Sequence, residues 1–113
     1  CLPYADGLEA PEGLNPEPVD AAHPILAGVP GQWPPLLGLN KVVERPAADG
    51  RVLVAARHRG RRHPLLVARD YGRGRTLAWT TDIGPHWLSQ AFLNWPGYDV
   101  LMPRMARWIG RDI

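Results

Sequence analysis

Few side chains in this sequence can do chemistry, and most of them stand in patterns that do none. Cys1 is the only thiol. A nucleophile elbow needs a tight strand-to-helix turn flanked by small residues, but Cys1 runs into Leu2-Pro3-Tyr4-Ala5-Asp6, with no glycine and no helix start. Ser89 is the sole serine and sits in no elbow. The four histidines (23, 58, 63 and 86) show no i, i+4 pair, no His-Glu-x-x-His and no cysteine pair, so no metal site is expected. Gly72-Arg73-Gly74 opens a strand, whereas a phosphate-cradling glycine loop opens a helix. No cofactor is expected.

Two further groups invite a binding reading. The run Arg57-His58-Arg59-Gly60-Arg61-Arg62-His63 offers salt-sensitive contacts to phosphates. No aromatic residue interleaves it to stack bases, and such runs usually form solvated hairpin tips, so nucleic acid is not an expected partner. Of the five tryptophans, Trp79 and Trp108 read as core. Trp33, Trp87 and Trp95 lie in Pro/Gly-rich loops, where binding residues concentrate. Trp87 and Trp95 are therefore candidates to hold a carbohydrate or other small ligand.

The elements that must position these residues are mostly strands. Residues 1–38 carry many Pro and Gly and no apolar period, and read as a surface strap. Within it, Asp20 is placed to cap one helical turn ending near Gly28. Strands are expected at 39–45, 52–57, 64–69 and 75–81, with a turn at Asp49-Gly50. The glycines of Tyr71-Gly72-Arg73-Gly74 should fold the last two into an antiparallel hairpin spanning 64–81. Residues 82–113 read as a loop followed by a helix from about Asp99 to Ile109. Leu101, Met105 and Trp108 fall at i, i+4 and i+7 on one face, and Pro103 bends the helix or sits near its start.

At 113 residues, with 45% hydrophobic and 21% charged, the chain has room for one domain. The net charge of +2 conceals an acidic segment, 1–22, and an arginine-rich one, 51–75. No run approaches the roughly 18–20 apolar residues of a membrane span, so no membrane association is expected. There is no signal-peptide pattern, and a single cysteine fits a reducing cytoplasm.

With these residues placed, a family resemblance emerges. Pro64-Leu65-Leu66-Val67-Ala68-Arg69-Asp70-Tyr71-Gly72-Arg73-Gly74-Arg75-Thr76-Leu77-Ala78-Trp79-Thr80-Thr81-Asp82-Ile83-Gly84-Pro85-His86-Trp87 resembles the C-terminal hairpin of the putative glutamine amidotransferase family. His23-Pro24-Ile25-Leu26-Ala27-Gly28, Trp33-Pro34-Pro35-Leu36-Leu37-Gly38 and Trp95-Pro96-Gly97-Tyr98 resemble its flanking segments. The resemblance implies the C-terminal part of a flavodoxin-like α/β domain of the class I glutamine amidotransferase type, with a mixed sheet, an antiparallel hairpin and a closing helix. The superfamily's cysteine elbow would then precede Cys1, making the missing N-terminal half of the same domain the first expected partner. Apolar surface left by that half would drive self-association, with homo-oligomers a further expectation.

The resemblance also gives His86 a role. In class I amidotransferases a histidine after the late strand is the general base for the cysteine, followed two residues later by an orienting glutamate. Here that place holds Leu88. Asp82, four residues before His86, would orient it only if the loop folds back. A structural corner is the competing reading of Asp82–Trp87. Three functions stay open: a domain using His86 against an upstream thiol, a non-catalytic ligand-binding relative, and a structural half-domain.

Overall fold

The computed structural model describes residues 2–43, 50–82 and 87–113, with the side chains of residues 2–6 and 43 left aside. Its strands are β1 (Leu2–Pro18), β2 (Leu36–Val43), β3 (Arg51–His58), β4 (Arg61–Tyr71) and β5 (Gly74–Trp79). Two helices follow, a short α1 (Gln90–Leu93) and α2 (Pro96–Ile109). The sheet order is β2-β1-β3-β4-β5, and every pairing among these strands is antiparallel. The architecture is a small mixed α/β domain: a curled antiparallel sheet with a C-terminal helix. A mixed sheet was expected, but no parallel pair occurs among the described strands.

The two hairpins follow from local turn chemistry. Arg59 (φ 50°) and Gly60 (φ 79°) join β3 to β4, with both central residues left-handed as a type I′ turn requires. Gly72 (φ 58°) and Arg73 join β5 to β4 with only the first central residue left-handed, the type II′ pattern. The centres of β3 and β4 are buried on both faces, from Leu53 to Ala56 and from Leu65 to Ala68. The 64–81 hairpin is present, with β4 starting three residues earlier, at Arg61, and β5 ending at Trp79. Glu44, Arg45 and Asp49 of the expected strand end and turn lie outside the described residues.

The largest departure from expectation is β1. Where a strap was anticipated, residues 2–14 pair with β2 and residues 15–18 pair with β3. Its prolines are accommodated in two ways. Pro11 falls within a register shift between Glu9 and Leu14, next to Gly13 at φ 98°. Val19 N–H donates to Leu53 O at 2.7 Å, so alternate residues 15, 17 and 19 face β3. Pro16 and Pro18, which lack an N–H, face away from it.

The sheet then curls back on itself. Beyond β5, Thr80 N–H donates to Leu65 O of β4 at 3.0 Å, while Thr80 O accepts Asn40 N–H of β2 at 2.7 Å. The two outer strands of the order thus meet at Thr80. Inside lies one core of Leu14, Leu36, Leu39, Leu53, Leu65, Leu88, Phe92 and Leu101, all essentially inaccessible. Helix α2 begins at Pro96, earlier than the expected Asp99, which leaves Pro103 in its interior. Leu101 and Trp108 of its apolar face are buried, and Met105 packs partly against the same core. His23, not Asp20, caps the single 3-10 turn Pro24–Leu26: its Nδ1 accepts Ile25 N–H at 3.2 Å. Asp20 instead pairs with Arg51 at 3.1 Å.

An open apolar face was expected for a half-domain. Among the described residues, the exposed large hydrophobics are Val19, Tyr71 and Ile109.

Candidate functional site

After β5, the described residues 80–82 and 87–88 form a corner tied to the sheet at both ends. Trp79 Nε1–H donates to the Asp82 carbonyl at 2.9 Å, which stops the strand direction within three residues. Thr81 Oγ1 donates to Gly38 O at 2.7 Å and ties the start of the corner to β2. Asp82 Oδ2 accepts Trp87 N–H at 3.2 Å, so the carboxylate closes the loop over its own backbone. At the far end Leu37 N–H donates to Trp87 O at 2.7 Å, and Leu88 bridges to Leu36.

The Trp87 indole seals the corner against β1 and β2. Its ring lies over Gly7 and Gly38, and its Nε1–H reaches Glu9 Oε1 at 3.2 Å. A methyl group at Gly38 would fall 2.5 Å from Trp87 Nε1. That glycine is needed for close approach, and its signal was visible as a lone glycine inside an apolar strand pattern. Gly7 and Glu9, the other two partners of Trp87, lie with Gly38 in the segment expected to be a strap.

Of the sequence candidates, Asp82 and Trp87 are brought together at this corner. His86 and Cys1 lie outside the described residues. Trp95 goes elsewhere: it is 9% exposed and its ring meets Trp33 (centroids 4.9 Å apart) and Phe92 (5.3 Å) in an aromatic cluster. Its indole also covers Gly97, where an added Cβ would fall within 2.3 Å of it. Trp33 Nε1–H is buried in that cluster with no partner. Trp87 and Trp95 therefore pack against different residues, Trp87 over glycines of the sheet and Trp95 among aromatics of the core.

The hydroxyl groups around the corner are engaged. Thr80 Oγ1 is buried and donates to Pro64 O at 2.8 Å. Ser89 Oγ donates to Pro35 O at 2.8 Å and accepts Phe92 N–H at 3.1 Å, serving as the N-cap of α1. Leu88, at the place where the resemblance expects an orienting carboxylate, is 1% exposed and built into the core.

The charge asymmetry of the sequence resolves into cross-strand pairs. Arg57 Nε bonds Glu17 Oε1 at 3.1 Å, and His58 Nε2 bonds Glu12 Oε1 at 3.0 Å. A backbone hydrogen bond, and then His58, hold the Glu12 carboxyl below its usual range. The acidic strand β1 thus neutralises part of the arginine-rich hairpin beside it. His63 pairs with Ala56, not with His58. Among the described residues no three His, Cys, Asp or Glu gather to hold a metal ion, and no helix is long and apolar enough to cross a membrane.

A curled antiparallel sheet closed by a late corner and a C-terminal helix defines a class that solved structures share. The chain superposes on Cytoplasmic Protein STM3548 from Salmonella typhimurium with a TM-score of 0.80 and 35% identity, covering 92% of this chain and 39% of that one. It superposes on Cytoplasmic Protein STM1381 from Salmonella typhimurium LT2 with a TM-score of 0.81 and 31% identity, covering 96% of this chain and 43% of that one. The chain spans about two-fifths of the length of these structures. No curated protein matches it. The family model described as "Putative glutamine amidotransferase" matches residues 1–111, and the chain belongs to that family.

Proposed function

We propose that this chain is the sheet-closing, site-shaping C-terminal portion of a glutamine amidotransferase-like domain and makes no bond of its own. One observation carries the reading: the place where the resemblance expects a carboxylate to orient His86 is taken by a core side chain. Asp82 Oδ2 holds Trp87 N–H, and the position two after His86 is the buried Leu88. A histidine base works on a thiol only when a third group orients its ring. Ser89 and Thr80 spend their hydroxyls on backbone carbonyls. The corner's role is then to close the sheet beside a segment of the longer domain.

In this reading that segment is an upstream α/β half of flavodoxin-like type, and the setting is cytoplasmic, as the names of the two structural neighbours say of those proteins. The test is ammonia release from glutamine by the purified 113-residue chain and by its His86→Ala variant. No turnover above the uncatalysed rate is expected from either. Release by the chain that disappears in His86→Ala would overturn the reading and make His86 a base.

A further inference from the structure

A second, polar site lies away from the corner, where β3, β4 and α2 converge. A cavity of about 150 Å³ is lined by His23, Arg51, Ala68, Arg69, Asp70 and Trp108. At about 30 Å³ per water molecule it holds roughly five, below the roughly 300–1,000 Å³ of drug-sized ligand sites. Its occupant is therefore small.

The lining selects the sign of that occupant. Two guanidinium groups, Arg51 and Arg69, line it with one carboxylate, Asp70, whose side chain is 76% exposed and so screened by solvent; Arg51 also pairs with Asp20, outside the lining, at 3.1 Å. Arg75 stands behind the wall, its guanidinium 4.6 Å from the Trp108 ring centroid and its Nη1 donating to Trp108 O at 2.9 Å. Arg69 also lines the cavity, with its Nε–H buried and its guanidinium 5.2 Å from the Tyr71 ring centroid.

His23 adds a directed donor. Because Nδ1 accepts Ile25 N–H, the neutral ring carries its proton on Nε2, leaving Nε2–H as the nitrogen to donate. The ring stands 5.3 Å from Trp108, centroid to centroid. Burial holds its pKa below 6.5; Arg51 and Arg75 lower it further, while Asp20 and Asp70 oppose them. The ring is thus neutral near pH 7 and contributes a hydrogen bond without needing a charge.

We infer that this cavity is a binding site for a small oxyanion, a free phosphate or carboxylate group, held by Arg51, Arg69 and the Nε2–H of His23. The guanidinium of Arg69 presents fork geometry suited to two oxygens.

The experiment is an NMR titration of the isotope-labelled chain with inorganic phosphate at low salt, following the His23 ring and the Arg69 Nε–H. Saturable binding that shifts both signals is expected. Arg69→Lys keeps the charge but loses the fork, and Arg51→Gln removes a charge. Each should weaken binding about 10- to 100-fold, the value of one charge-assisted hydrogen bond. Arg59→Gln at the hairpin tip should leave affinity unchanged. A parallel titration with acetate separates the sources: tighter phosphate marks a phosphate end, tighter acetate a carboxylate. Absence of saturation with both anions, or equal weakening by Arg59→Gln, would overturn the site. If Arg69→Lys does not fold, Arg51→Gln decides alone, because the Arg51 side chain is 69% exposed.

Discussion

Replacing Gly38 by alanine should loosen the seat of Trp87 on β2. An added Cβ would lie 2.5 Å from Trp87 Nε1, 2.6 Å from Trp87 Cδ1 and 2.7 Å from the Leu8 carbonyl oxygen. The indole can swing aside, but the Leu8 carbonyl belongs to the β1–β2 ladder and cannot move without disturbing its pairing. Overpacking of this kind costs about 1–3 kcal/mol. Displacing the indole also weakens its bond to Glu9, which is exposed and adds only a few tenths of a kcal/mol. We take about 2 kcal/mol. With an unfolding entropy of about 2.1 cal/mol/K per residue, the 113-residue chain should lose roughly 8 °C in Tm. The assay is thermal and urea unfolding followed by tryptophan fluorescence, with Gly31→Ala as control because nothing lies within 4 Å of a Cβ there. Trp87→Leu in the Gly38→Ala background should recover part of the loss and leave the part due to Leu8. A Gly38→Ala protein as stable as the parent, with unchanged emission, would refute the close approach of Trp87 to β2.

Four other outcomes are expected. Thr80→Val, which keeps shape but orphans the Pro64 carbonyl acceptor, should cost about 1–2 kcal/mol in urea unfolding. Ser89→Ala should cost about 1 kcal/mol through loss of the α1 N-cap and the tie to Pro35, read from the same unfolding midpoint. His63 has its pKa lowered by burial first, then by Arg61, His58 and Lys41, so the unfolded chain binds its proton more readily than the folded one. Stability from this group is full above 6.5 and is lost as pH falls through 6.5 towards the lower folded value; His63→Gln should flatten the urea midpoint over that window. In sedimentation the isolated chain should run as a monomer, because β5 and β2 meet at Thr80 and the exposed large hydrophobics among the described residues are three scattered side chains.

The sequence reached furthest where the determining interactions are local. Arg59-Gly60 and Gly72-Arg73 specify their turns through left-handed backbone, and the apolar runs beside them had no other way to be covered than as paired strands. The helix face of Leu101, Met105 and Trp108 was equally readable, since its period is carried within a few turns. The family resemblance spans nearly the whole chain, with the continuous hairpin its most specific part.

Only the tertiary structure decided what β1 does and what the Trp87 indole meets. A segment with Pro3, Pro11, Pro16 and Pro18 carries no strand signal, because proline withholds ladder donors; it becomes a strand only when its partners leave those positions unpaired or bulged. Asp82, four residues from His86, was equally consistent with an orienting carboxylate and a loop clamp by spacing alone. In the structure its Oδ2 accepts Trp87 N–H at 3.2 Å, beside an indole received by Gly7, Glu9 and Gly38 from 80, 78 and 49 residues away. The oxyanion cavity likewise gathers His23, Arg51, Arg69 and Trp108 from four separate stretches. Local sequence sets backbone preference and apolar period; which distant side chains share a site is set by strand register and curl, which no short window of sequence contains.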